Sequence, residues 1–294
     1  MLSNALLIMA IIIDPLRTLR KGAWLTILNL AFADLLTTAA AIILYSIPRL
    51  QIKLSHRLLW NFIFEVVLNS GYSASFFFLT LWNMEVFVIT KYPLHCKSIL
   101  TKTKVRIACA LAWLMGTAMG CLAFVKQFEL CMKLLVAWIG ILELAVLIQV
   151  IFKILIIMAI VKGRKSLSNS YKSGKHNNVA KTVIILNAVL MLTAFPYFIS
   201  LQIWYVSRLG VIDIPVFMNQ FAQYYFPVGL INGVVNPFVY AWRLPDYRRT
   251  LLACLRKRRS SSRSSGKGTL LSYGNEKTTT AGLSRKKSST LLSF

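Results

Sequence analysis

Six apolar runs, at about 24–47, 58–90, 105–125, 134–161, 179–207 and 214–241, limit what this chain can fold into. Each matches or exceeds the roughly 20 helical residues that cross a hydrocarbon core of about 30 Å. Inside such a core every backbone N–H and C=O must be paired within the protein, so runs of this kind become helices packed side by side. A shorter apolar stretch, residues 1–13, precedes them. At about 1.5 Å per residue it reaches only about 20 Å, so the first helix is expected to be truncated unless it continues through Asp14-Pro15. The composition agrees with a polytopic membrane protein: 57% of residues are hydrophobic, 15% are charged and the mean hydropathy is +0.64. The predicted fold is an all-α membrane protein, a seven-transmembrane helix bundle with a short amphipathic C-terminal helix.

The net charge of +25 does not point to nucleic acid, because the basic residues fall in bands between the apolar runs and not over a folded polar surface. Of the 34 Lys and Arg, 27 lie in residues 14–22, 91–106 and 162–181 and in the tail from Arg243; six lie in the alternate loops and Lys153 lies within a span. The positive-inside rule then puts the tail in the cytoplasm and the N-terminus outside. Met1-Leu2-Ser3 has no basic n-region and no small-residue cleavage site follows, so the first span is expected to act as an uncleaved anchor. The transmembrane domain is expected over 1–257, with a membrane-surface helix at about 245–257. Residues 258–294 are rich in Ser, Thr and basic residues, without apolar periodicity, and are expected to form a disordered cytoplasmic tail. Phosphorylation of Arg-Arg-Ser-Ser or Arg-Lys-Lys-Ser-Ser would weaken the tail's attraction to anionic lipid; the alternative is an unregulated, solvated tail.

Ionisable groups in hydrocarbon are costly and mark either function or pairing. Asp34 sits mid-span among apolar neighbours; Ser75, Asn232 and Asn236 are the oxygen-bearing partners available from other spans. Together they could hold a small hard cation such as Na⁺, or Asp34 could be a protonated residue that fastens helices. Toward the outer ends, Glu65, Leu68, Asn69, Tyr72, Glu143, Tyr197 and Gln223 are candidates for an apolar-walled ligand pocket, while aromatic residues at that depth also fit an interfacial belt. His56, His95 and His176 lie in separate loops and no phosphate-binding glycine loop occurs, so catalysis is not expected. Cys121 and Cys131 are either a disulfide near the outer face or two small packing residues.

These residues, in their order along the chain, resemble the rhodopsin-like (class A) G-protein-coupled receptors from Asn4 to Cys254. The resemblance is carried by Asn4, Leu16-Arg17-Thr18, Asn29-Leu-Ala-x-Ala-Asp34-Leu, Tyr92-Pro93-Leu94, Trp113, Phe195-Pro196-Tyr197 and Asn236-Pro237-x-x-Tyr240. It implies a sodium-binding cluster at Asp34, Ser75, Asn232 and Asn236, with Na⁺ as an allosteric ion and no other cofactor. It implies an activation switch at Pro196, Asn236, Pro237 and Tyr240, in which the sixth helix swings outward about Pro196. A G-protein-facing surface at Glu85, Val86, Phe87 and Arg243, and palmitoylation at Cys254, follow from the same resemblance. The implied partners are an extracellular ligand, a heterotrimeric G protein, arrestin, receptor kinases and the plasma-membrane bilayer.

The departures are specific. Where the family carries Asp/Glu-Arg-Tyr at the base of the third span, this chain reads Glu85-Val86-Phe87, and Val supplies no guanidinium. Ala194 replaces the usual Trp, the fifth span lacks its Pro, and Trp60-Asn61-Phe62 stands where a Cys would open the outer disulfide. The absent Cys, absent Pro and short second outer loop are similar to melanocortin receptors. These departures leave a non-coupling receptor-like protein as an alternative. A small transporter, motivated by Asp34, Glu65 and Glu143, lacks the internal repeat such proteins carry.

Overall fold

A computed structural model describes residues 1–14, 23–49, 57–124, 129–166, 188, 191–193, 195–213, 216–231, 233, 235, 249–250 and 252–253. All regular structure among them is helical: α1 (Leu2–Ile13), α2 (Trp24–Arg49), α3 (Arg57–Lys91), α4 (Cys96–Ile99), α5 (Lys102–Phe124), α6 (Glu129–Ser166), α7 (Phe195–Arg208) and α8 (Val216–Gly229). Among the described residues, four stretches are long and apolar enough to cross a membrane: Trp24–Ser46, Leu59–Lys91, Lys102–Leu122 and Glu129–Ala159. α7 takes up the second half of the apolar run 179–207 and passes its end by one residue, and α8 falls within 214–241. The expected surface helix at 245–257 lies largely outside the described residues; Arg249, Thr250, Leu252 and Ala253 are helical.

Local chemistry sets several helix ends. α1 stops at Ile13, because Asp14 enters the left-handed region at φ 31° while its N–H still reaches the Ala10 carbonyl at 3.0 Å. The 12-residue helix is therefore about 18 Å long and does not continue through Asp14-Pro15. α5 starts three residues before the expected 105, where Thr101 Oγ1 accepts the Lys104 N–H at 3.4 Å as an N-cap. α6 extends beyond the expected 134–161 at both ends. Its first turn carries an exposed i,i+4 ion pair, Lys133 Nζ to Glu129 at 2.7 Å. Its last turn carries residues 162–166 of the expected internal loop. The Tyr92–Thr101 connection holds a one-turn helix, α4, that periodicity does not reveal. Cys121 and Cys131 are both free thiols, which decides against the disulfide.

α3 is the central element, packing against α2, α5 and α6; α1 packs on α2, and α7 touches both α6 and α8. Helices in lipid gain no hydrophobic energy from meeting, so their contacts rest on close packing and polar links. The α3–α5 contact rests on Gly116-x-x-x-Gly120. A Cβ added at Gly116 would lie 2.7 Å from the Ser70 carbonyl oxygen, and one at Gly120 would lie 2.6 Å from that of Val66. No side chain fits at that separation, so the two glycines set how near α5 can approach. On the opposite face α5 exposes Ile107, Leu111 and Leu114, a stripe at helical spacing facing away from the core. The core itself is filled by Phe76 and Phe78 of α3, Phe198 of α7, Leu7, Leu30 and the Leu135, Ile139, Leu142 and Ile156 face of α6, each under 2% exposed.

Gly120→Val should force α3 and α5 apart and lower stability by about 1–3 kcal/mol. Leu114→Val on the exposed stripe should change it by no more than about 0.5 kcal/mol. Thermal unfolding of the detergent-solubilised protein checks both.

Candidate functional site

Three groups of buried polar side chains link the described helices, and α3 contributes to two of them. Asp34, on α2, is 3% exposed, and Ser75 of α3 donates its hydroxyl to Asp34 Oδ1 at 2.7 Å. One turn on, Thr37 and Thr38 return their hydroxyls to the carbonyls of Ala33 (2.8 Å) and Asp34 (2.6 Å). These four residues line a small cavity with Tyr72, Phe76, Gly229, Leu230 and Gly233. Its volume is ≈ 10 Å³ for the centres of water-sized spheres, close to the minimum that holds one water or one small ion. A Cβ at Gly233 would meet Asp34 Cγ and Oδ1 at 3.2 Å, so the glycine is what lets this segment sit directly against the carboxyl. Asn232 and Asn236, the other two residues of the expected ion cluster, lie outside the described residues.

The second cluster ties α2 to α5. Trp113 Nε1 donates to Asn29 Oδ1 at 2.9 Å, and Asn29 Nδ2 donates to the Leu25 carbonyl at 2.8 Å. Two motif residues 84 apart in sequence thus share one hydrogen bond. Asn4 of α1 similarly donates to the Gly233 carbonyl at 2.8 Å, joining the first helix to the segment after α8.

The third cluster lies toward the other end of α3. Glu85 is 1% exposed and its Oε1 accepts the Thr26 hydroxyl at 2.8 Å, while Oε2 is buried without a hydrogen-bond partner. Val86 is buried in the core, and the Phe87 ring packs on Phe152 of α6 at 5.7 Å with Lys91 Nζ 5.2 Å from its centroid. One to two turns earlier, Gln149 of α6 donates to Thr80 Oγ1 (2.9 Å) and the Phe76 carbonyl (3.3 Å) and accepts from Asn83 Nδ2 (3.5 Å).

Between the Asp34 cavity and the Glu65 end of the bundle stands an aromatic block. Tyr72 and Phe76 of α3 meet Tyr197 and Phe198 of α7, with ring centroids 4.8–6.1 Å apart for Phe76–Phe198 and Tyr72–Tyr197. Tyr72 also lines the cavity, and Tyr197 packs against the cluster of Ala40, Ala41 and Leu68 above it. Glu65 is within electrostatic range of Tyr45 on α2 and Tyr205 on α7. The structure therefore brings Leu68, Tyr72 and Tyr197 into one packed group. Asn69 instead turns back to its own helix, donating to the Glu65 carbonyl at 2.8 Å, and Glu143 of α6 has a buried Oε1 without a hydrogen-bond partner. Pro196 lies in the first turn of α7. The Gln223 side chain, Pro237, Tyr240, Arg243 and Cys254 lie outside the described residues.

Residues 3–240 match the family model described as 7 transmembrane receptor (rhodopsin family), well over half of the chain. The chain belongs to this family. No individual curated protein matches it. Rhodopsin-family members are membrane receptors rather than enzymes, typically of the plasma membrane, and work between an extracellular ligand and a G protein. Trp113–Asn29, Asn4–Gly233 and Ser75–Asp34 are the contacts through which the motif residues of this receptor hold its helices in register.

Sequence reasoning passed over Thr26, Thr37, Thr38 and Gln149. Gln149 was detectable by the rule that singled out Asp34, a polar side chain inside an apolar run. The threonines were not, since Thr commonly returns its hydroxyl to its own helix.

Removing the donor to Asp34 by Ser75→Ala should leave a buried carboxyl oxygen short of a partner and cost about 1–2 kcal/mol. Thr38→Ala, which touches only a backbone carbonyl, should cost less, and comparing the two in thermal unfolding tests the assignment.

Proposed function

We propose that this rhodopsin-family receptor binds an extracellular ligand at the Glu65 end of the bundle and passes the signal to a heterotrimeric G protein at the Glu85 end. The N-terminus then lies outside and the basic tail from Arg243 in the cytoplasm, as the distribution of Lys and Arg favours. The observation that carries the reading is the aromatic block: Tyr72 belongs both to the wall of the Asp34 cavity and to the ring contacts with Tyr197 and Phe198. A ligand that displaces Tyr197 therefore moves α7 and disturbs the cavity in one step, which is the differential contact a two-state shift requires. The Ser- and Thr-rich tail suits receptor kinases and arrestin, and Cys254 follows a basic amphipathic stretch suited to palmitoylation.

The Asp34 cavity fits Na⁺ by chemistry and size: a carboxylate, the Ser75 hydroxyl and two threonine hydroxyls surround a space for one small ion. There the cation would offset the buried carboxylate and tie α2 to α3. Sodium should raise thermal stability over an equal concentration of N-methylglucamine, by about 1.4 kcal/mol at ten times Kd. Asp34→Asn should abolish the difference; an equal sodium effect in that variant would rule the site out.

Coupling strength depends on Val86. With Val86 in the core and Glu85 held by Thr26, the base of α3 offers no guanidinium to a G protein, which favours weak coupling or a non-coupling receptor as the second reading. Val86→Arg should raise basal second-messenger output in transfected cells above the parent chain at equal surface expression. If neither chain alters any G-protein readout across a broad ligand panel, the coupling reading fails and the non-coupling one takes its place.

A further inference from the structure

The hinge proline of the sixth span creates a debt that another helix settles. Leu192, ahead of α7, is itself helical, and Pro196 has no N–H, so the Leu192 carbonyl four residues earlier lacks the donor that a helix would give it. In a membrane core an unpaired carbonyl costs several kcal/mol, and a proline is tolerated in a span where a neighbouring helix, a Ser or Thr side chain, water or a local change of helical pitch satisfies the freed group. Here the neighbour is α8. The Tyr225 hydroxyl donates to the Leu192 carbonyl oxygen at 2.8 Å, across 33 residues of sequence. Tyr225 is itself held in place: its ring stacks on that of Phe221, one turn earlier on α8, with centroids 4.9 Å apart and planes 19° from parallel. α7 and α8 pack against each other, so the bond is part of a broader contact and no isolated tether.

We infer that Tyr225 is a latch on the sixth-span hinge: its hydroxyl replaces the hydrogen bond that Pro196 removes and restrains the movement of α7 about that proline. The bond is well placed to be conditional. A backbone carbonyl within a continuous helix is paired whatever its neighbours do, whereas the Leu192 carbonyl takes its donor from α8. Any change that draws α8 from α7 breaks the bond and frees the hinge, and outward movement of α7 breaks it equally. The role in signalling rests on the receptor reading above; the restraint itself does not.

Hydrogen exchange of the full-length protein in lipid nanodiscs, without ligand or G protein, tests the latch. Tyr225→Phe deletes only the hydroxyl and keeps the ring stack. Amides from 194 to 200 should then exchange about threefold to tenfold faster, the range expected when one net hydrogen bond is lost. Amides of α3 and α5 should be unchanged. In a Pro196→Ala background residue 196 regains its N–H and the Leu192 carbonyl its intrahelical donor, so Tyr225→Phe should there have little effect. Equal exchange in parent and Tyr225→Phe would overturn the latch. So would an acceleration spread evenly over all helices, or one that persists undiminished beside Pro196→Ala. Because this readout involves no G protein, the latch can fail while the receptor reading stands, and the reverse.

Discussion

Away from water, a polar group in this protein is satisfied from within the bundle, by its own helix or by another, and α3 is the helix that most often supplies the link between helices. It gives Ser75 to Asp34, accepts Thr26 at Glu85, and takes Gln149 onto Thr80, Asn83 and the Phe76 carbonyl. Each bond is modest alone, since a helix pair in lipid gains on the order of 1 kcal/mol from such a link. Their placement matters more than their sum. They pin α2 and α6 to α3 at separate depths, so the helices cannot slide or rotate past one another without leaving buried polar atoms unpaired. The glycines of α5 do the same by shape, fixing its distance from α3 at backbone contact.

That arrangement separates what is fixed from what can move. α2, α3 and α5 are joined by polar links and close backbone packing. α7 meets α3 through rings: Tyr72, Phe76, Tyr197 and Phe198. Ring contacts are adaptable, and aromatic pairs keep much of their energy over a range of offsets and tilts. A helix held by rings can shift in ways that a helix held by Asp–Ser and Trp–Asn bonds cannot. The movable helix also carries the proline.

The helical nature of the described spans and the pairing of Asp34 with Ser75 were legible in the sequence because hydrocarbon makes a blunt demand: long apolar runs must be helices, and a charge among them must be met. Asn29 and Trp113 were recognisable as motif residues, yet their mutual bond follows only from the crossing of α2 and α5. Helix ends were less legible. The stop of α1 depends on the left-handed turn at Asp14, the start of α5 on the Thr101 cap, and the short α4 on no apolar period at all. Gly116 and Gly120 lay in plain view without their meaning, since a glycine in a span marks a kink as readily as a contact. Gly233 was equally silent in the sequence; its missing side chain is what lets the segment after α8 lie against the Asp34 carboxyl.

The base of α3, where the chain departs from the family pattern, and the proline of the sixth span, where it keeps it, share a physical direction. At the base of α3, Val86 turns a position that would carry a charge into core, and Glu85 takes its hydrogen bond from Thr26 on α2. At the hinge, the Leu192 carbonyl takes its hydrogen bond from Tyr225 on α8. In both places a neutral hydroxyl from an adjacent helix stabilises a group that would otherwise be exposed to hydrocarbon. A neutral donor costs little to desolvate compared with a guanidinium, and it holds less strongly than an ion pair.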